Sequence, residues 1–147
     1  HRITPCLPSL NASAFAEVDT YHKKGLAQRG GGVFCDMVMH DGARVRSPLI
    51  PDGHADLVLG LEAIEGIRAL GKAAPDRTVA VINTAVRPTT TVLMGHATPP
   101  DDIVGMARER TRPGGLLALD FATACEEALG DRIYANISML GAAWQRG

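Results

Sequence analysis

The chain has 147 residues, 46% of them hydrophobic and 21% charged, enough apolar material for one compact core and too much for general disorder. Fifteen Lys and Arg against 16 Asp and Glu leave a formal charge of -1. That balance excludes the bulk positive field that drives binding to nucleic acid or anionic lipid, and no apolar run reaches the roughly 20 residues of a membrane span.

Residues 1–19 carry two early prolines and no clear period, so they read as a poorly defined arm, with a single domain expected over 20–147. The first residue is His1 and nothing near it resembles a signal peptide, so the chain reads as a piece of a longer polypeptide, incomplete at both ends. The three cysteines, Cys6, Cys35 and Cys125, are widely spaced with no C-x-x-C pair, which fits a reducing cytoplasm. Cys35 and Cys125 sit in apolar stretches, where a buried reduced thiol is the expected state.

His22 to Gly32 combines Lys23, Lys24 and Arg29 with four glycines. Such a segment can cradle a phosphate or serve simply as the turn feeding the next strand. Residues 33–40 (VFCDMVMH) and 43–46 (ARVR) flank Asp41-Gly42, a pairing that predicts an antiparallel hairpin. The short apolar runs 56–61, 78–82, 91–94 and 116–119 predict strands covered on both faces.

Helices are expected between these strands. Over 62–73, Ile64, Ile67 and Leu70 form one stripe while Glu62, Glu65, Arg68 and Lys72 face water, with Glu65 and Arg68 at pairing distance. The next helix is signposted by Thr98 as cap, Pro99 in its first turn, Asp101 and Asp102 at its positive end, and Pro113-Gly114-Gly115 as its stop. A third helix runs over 122–129 and ends at Gly130. A fourth, over 132–145, aligns Ile133, Ile137, Leu140 and Trp144 as its apolar stripe. Strands alternating with helices predict an α/β fold, a three-layer α/β/α arrangement whose mostly parallel sheet becomes mixed through the antiparallel hairpin.

Motifs of reaction chemistry are sparse. Gly66 to Ala73 copies the spacing of a phosphate-binding P-loop, but Ala73 stands where a hydroxyl residue would hold magnesium, and the segment is a helix interior. Asn83-Thr84 and Asp120 end buried strands, where open parallel sheets place their ligands, although each also suits a turn or a helix cap. Asn136 lies within the last helix, where it can reach a neighbouring loop backbone. The five histidines show no metal-ligand spacing, and Asp52, His54 and Asp56 read as a surface turn. No G-x-S-x-G elbow or G-x-G-x-x-G fingerprint occurs.

GLAQRGG at 25–31, the segment Ser47-Pro48-Leu49-Ile50-Pro51, ADLVLGLE at 55–62, Asn83-Thr84 with Pro88, and Asn136 followed by Met139-Leu140-Gly141 and Ala143-Trp144-Gln145 occur here in one order. In that combination the chain resembles the gamma domain of the 2-oxoacid:ferredoxin oxidoreductases, closest to the indolepyruvate ferredoxin oxidoreductase type. One departure stands out: the Gly-Gly-Gln-Gly opening usual in such domains has no counterpart before Gly25.

The resemblance implies a non-catalytic gamma component of an enzyme that decarboxylates a 2-oxoacid on thiamine diphosphate, passes electrons through iron–sulfur clusters to ferredoxin and releases an acyl-CoA. It implies alpha and beta subunits or domains as partners, holding the thiamine diphosphate with its magnesium and the clusters, while this domain helps shape the region where coenzyme A enters. Residues implied to face a cofactor are Gln28, Arg29, Gly30, Gly31, Asn83 and Asn136, with no metal ligand and no catalytic group. Two other expectations stay open: a non-catalytic binding or assembly module of the same fold, and a free-standing nucleotide-binding protein using Asn83 and Asp120.

Overall fold

A computed structural model of the chain describes residues 17–24, 33–40, 47–86 and 102–146. The first elements are strands β1 (Glu17–Lys24) and β2 (Val33–His40), paired antiparallel in a continuous register from Glu17 opposite His40 to Lys24 opposite Val33. The sequence shows β2 but hides its partner, because β1 (EVDTYHKK) lacks the apolar alternation that marks a half-buried strand. Residues 43–46, expected across Asp41-Gly42, lie outside the described residues. Cys35 is exposed on this hairpin, against the expectation of burial, whereas Cys125 is buried and donates to Ser138 Oγ at 3.3 Å.

Among the described residues three further strands, β3 (Leu57–Gly60), β4 (Val79–Asn83) and β5 (Leu116–Leu119), form a parallel sheet in the order β3-β4-β5. The three runs read from the sequence as two-face-covered strands supply it, while the fourth, 91–94, lies outside the described residues. Both strand directions of the expected α/β fold are present, kept in two separate sheets. Every residue of β4 is buried, as a central strand between two helical layers requires.

The helices among the described residues are α1 (Ala63–Ala69), α2 (Ile103–Glu109), α3 (Phe121–Leu129) and α4 (Ala135–Arg146). On one face, Val58, Ala80 and Ile82 pack with Leu70, Ala107 and the partly buried Ile67 and Ile103; on the other, Val81 packs with Phe121, Cys125, Met139 and Ala143. The alternation of neighbours along β4 assigns Ala80 and Ile82 to one layer and Val81 to the other, which makes the three layers.

Local chemistry sets the helix ends. Asp102 caps α2 by accepting from Gly105 N at 2.6 Å, a role the sequence reading assigned to Thr98, which lies outside the described residues. Asp120 caps α3, accepting from Thr123 N and Thr123 Oγ1 at 2.9 Å each, and α3 stops at Gly130 with φ +80°. That left-handed cap is favoured by glycine. A short 3₁₀ turn (Arg132–Tyr134), capped by Asp131, then leads into α4.

Two expectations about helix faces are corrected. In α4 the residues against the sheet are Ala135, Met139 and Ala143, while Ile133, Ile137 and Leu140 point outward, 74, 62 and 54% exposed. The helix is apolar on both sides, so hydrophobicity alone could not choose, and the smaller side chains take the inner side. In the turn after α1, Lys72 does not face water: its ammonium binds the buried Asp36 carboxylate of β2 and donates to Ile50 O at 3.0 Å. It also stands 5.4 Å from the Phe34 ring centroid.

The P-loop-like spacing has a packing cause. A Cβ added to Gly60 would lie 2.7 Å from Gly66 Cα, so the two glycines let α1 approach β3 at backbone distance. Gly66 and Lys72 thus serve helix–strand packing and an ion pair with the hairpin. Glu65 and Arg68 pair at 2.6 Å, as their spacing predicted.

Candidate functional site

In parallel sheets the strand carbonyl ends and the following helix starts converge on one edge, and that edge is the usual ligand crevice. Here it holds a crevice of about 470 Å³, lined among others by Leu61 and Glu62 after β3, Asn83 at the end of β4, and Asp131, Arg132 and Asn136 at the start of α4. A second hollow, of about 510 Å³, lies beside β5 near Arg108 and Arg112. It is away from the carboxyl ends of β3 and β4, so the first is the better placed.

Asn83 is the structural hub of the crevice. Its Oδ1 accepts from Ala85 N and Phe121 N, both at 3.2 Å, and its Nδ2 donates to Leu61 O at 3.3 Å. One carboxamide therefore ties the end of β3, its own turn and the first turn of α3, and it is only 7% exposed. Burying an amide is tolerable when its hydrogen-bonding capacity is used in this way. The open question in the sequence, turn former or ligand contact, is answered by geometry: both acceptor positions of Asn83 are taken internally. Asp120 likewise spends its carboxylate on capping α3. The Thr123 N–H, and then the Thr123 hydroxyl, hold its pKa below the ordinary carboxylate value. A free-standing nucleotide site built on these two residues has little left to offer a ligand.

Asn136 is different. It is exposed in the first turn of α4, and among the described residues its side chain makes no hydrogen bond, so the expected contact to a loop backbone is absent there. The fold brings Asn83 and Asn136 to one crevice from positions 53 residues apart. Gln28, Arg29, Gly30 and Gly31 lie outside the described residues. Missed by sequence reasoning were Glu62, Asp131 and Arg132. Glu62 follows a strand and could have been found by the strand-end rule; Arg132, whose guanidinium binds the Glu126 carboxylate, gave no local signal.

The description "Pyruvate ferredoxin/flavodoxin oxidoreductase" matches residues 12–147. The chain belongs to the pyruvate ferredoxin/flavodoxin oxidoreductase family. Among curated relatives, it is 37% identical over 121 residues to the indolepyruvate oxidoreductase subunit IorB of Methanothermobacter thermautotrophicus, covering 81% of this chain and 58% of the relative. It is 38% identical over 126 residues to the subunit of the same name from Archaeoglobus fulgidus, covering 84% and 59%. The chain thus spans less than two thirds of the relatives it matches. No solved structure matches it.

For this family the crevice raises the question of thiamine diphosphate, whose diphosphate is held through a divalent metal. Such a group needs clustered oxygen or nitrogen ligands, and among the described residues no three His, Cys, Asp or Glu side chains come together. Two carboxylates, Glu62 and Asp131, line the crevice, and the Arg132 guanidinium is bound to Glu126. Also among the described residues, no helix is long and apolar enough to cross a membrane.

Proposed function

We propose that the chain is the gamma component of a thiamine-diphosphate-dependent 2-oxoacid oxidoreductase with an indolepyruvate-like substrate. In this reading it takes no covalent part in the reaction. It supports oxidative decarboxylation to an acyl-CoA, with electrons passed to ferredoxin, while alpha and beta partners hold the thiamine diphosphate, magnesium and iron–sulfur clusters. The observation that carries the reading is the family match over residues 12–147, joined by two relatives named as indolepyruvate oxidoreductase subunits.

The crevice supports a positioning role. Asn83 fastens strand and helix ends together, Arg132 is engaged by Glu126, and the carboxamide of Asn136 is open to accept and donate hydrogen bonds without changing charge. Gln28, Arg29, Gly30 and Gly31 would add a phosphate-facing edge near the coenzyme A entrance.

Purification of the tagged chain from its own cells tests the proposal. The expected result is recovery with larger chains containing thiamine diphosphate and iron, whose indolepyruvate-dependent ferredoxin reduction falls when the chain is omitted and returns when it is added. A colourless chain recovered without partners, or activity indifferent to its omission, would overturn it. Within the complex, Arg29→Ala is expected to raise the coenzyme A requirement; an unchanged requirement removes Arg29 from the site.

A further inference from the structure

Strand β5 ends the parallel sheet: in the order β3-β4-β5 its one neighbour among the described residues is β4. Ala80 stands opposite Leu116, and the carbonyls of Gly115 and Leu119 accept from Ala80 N and Thr84 N at 3.0 Å each. Successive residues of a strand turn their N–H and C=O to opposite sides, so Gly115, Leu117 and Leu119 bond β4 while Leu116 and Ala118 present theirs to the outside. The Leu116 carbonyl accordingly accepts from the Arg146 guanidinium, at 3.3 Å, and not from β4. The Leu116 N–H and both backbone groups of Ala118 have no partner among the described residues. Such an edge is a template for one more strand.

The hollow of about 510 Å³ runs along this edge, lined by Leu116, Leu117 and Ala118 on the strand and by Val104, Arg108 and Arg112 beside it. Among the described residues that line it, the two arginines are the charged ones, and no carboxylate faces them. The Arg108 guanidinium has no partner among the described residues. Arg112 spends one of its N–H groups on Arg146 O, at 3.4 Å. Uncompensated positive charge beside an open strand edge selects an anionic occupant. A second copy of the chain would bring its own Arg108 and Arg112 against these, like charge on like. The two faces of an added strand would also differ. Leu116 packs in the layer of Ala107, on the α2 side that carries Arg108, whereas Leu117 packs with Phe121 and Met139, and Leu119, on the same face as Leu117, is 45% exposed.

We propose that β5 takes up an extended segment of a partner chain in which acidic and apolar residues alternate. The acidic side chains meet Arg108 and Arg112, and the apolar ones cover Leu117 and Leu119. A few backbone hydrogen bonds and two exposed charges make a small contact, so the docking is weak on its own and weakens further as salt rises. It is independent of the assignment to a 2-oxoacid oxidoreductase, because it is read as binding and involves no activity.

The full chain, titrated with a labelled peptide of about eight residues in which Glu and Val alternate, tests the proposal; the same peptide with Lys in place of Glu is the control. Fluorescence anisotropy reports binding, and amide exchange followed by NMR reports where it occurs. The Glu peptide is expected to bind and to slow exchange at Leu116 and Ala118 by about tenfold or more, and the Lys peptide to do neither. Arg108→Glu alters an exposed side chain, so it should leave the thermal midpoint unchanged while weakening the Glu peptide by about fivefold or more. Arg108→Glu combined with Arg112→Glu should reverse the preference in favour of the Lys peptide. The proposal is overturned if Leu116 and Ala118 already exchange slowly in the free chain, because the edge is then covered by the chain itself. It is also overturned if neither peptide binds, if both bind alike, if binding leaves these two amides unprotected, or if the charge reversals leave the preference as it was.

Discussion

The two sides of α4 carry similar amounts of hydrophobic residue and meet opposite fates. Inside, Ala135, Met139 and Ala143 press on β3 and β4; outside, the bulkier Ile137 and Leu140 touch solvent. Hydrophobicity therefore did not decide which side faced the sheet. Closeness did, since small residues bring the helix axis nearer the strands and let Met139 alone fill the remaining space. The same preference operates on the opposite layer, where Gly60 and Gly66 meet at backbone distance.

The sharpest way to break this comparison is to shorten Met139 and Leu140 separately. Met139→Ala is expected to cost about 2–5 kcal/mol, because it opens a cavity beside Val81, whereas Leu140→Ala should stay within about 0.5 kcal/mol. Urea unfolding of both variants checks the contrast, and equal losses would mean the outer side is covered within the monomer. Next, Gly60→Ala forces a methyl against Gly66 Cα and should destabilise by about 1–3 kcal/mol through overpacking. A neutral result in the same assay would mean that α1 can retreat from β3 freely.

Asn83→Ala removes the acceptor of the buried Phe121 N–H and of the partly buried Ala85 N–H and should cost about 1–3 kcal/mol. Because Asn83 joins three elements, slowed amide exchange at Phe121 should be lost as well. Asn136→Ala, at the exposed side of the same crevice, should leave both measurements unchanged. The smallest effect belongs to Asp120. Its carboxylate pKa is lowered in the folded state by the Thr123 N–H. The cap therefore contributes fully above the unfolded carboxylate value of about 3.9, and that contribution is lost as pH falls through the lowered folded value. Thermal midpoints of the wild type should fall across this acidic window more than those of Asp120→Asn, whose neutral side chain caps without titrating.

How much of this the sequence revealed depended on whether the signal was local. Strands β3 to β5 and helices α1 and α3 were legible because continuous apolar runs, caps and stop residues lie within a few positions of one another. The two faces of α4 were not legible, because choosing between two apolar stripes needs the distance to the sheet. Strand β1 was hidden by its polar composition. Lys72 was misjudged because its partner, Asp36, is 36 residues away. At the crevice, Asn83 could be read from its place at a strand end. Its three hydrogen bonds, and its convergence with Asn136, follow only from the tertiary arrangement.

The hairpin's attachment has a consequence of its own. Among the described residues no ladder rung joins β2 to the parallel sheet, and Asp36 links them by taking the Ile50 N–H at 3.1 Å and the Lys72 ammonium. Among the described residues, replacing Asp36 would therefore loosen the hairpin's hold on Ile50 and Lys72 without breaking a strand pairing. Within those residues Asp36 works as an electrostatic latch between the two-stranded hairpin and the parallel sheet's domain.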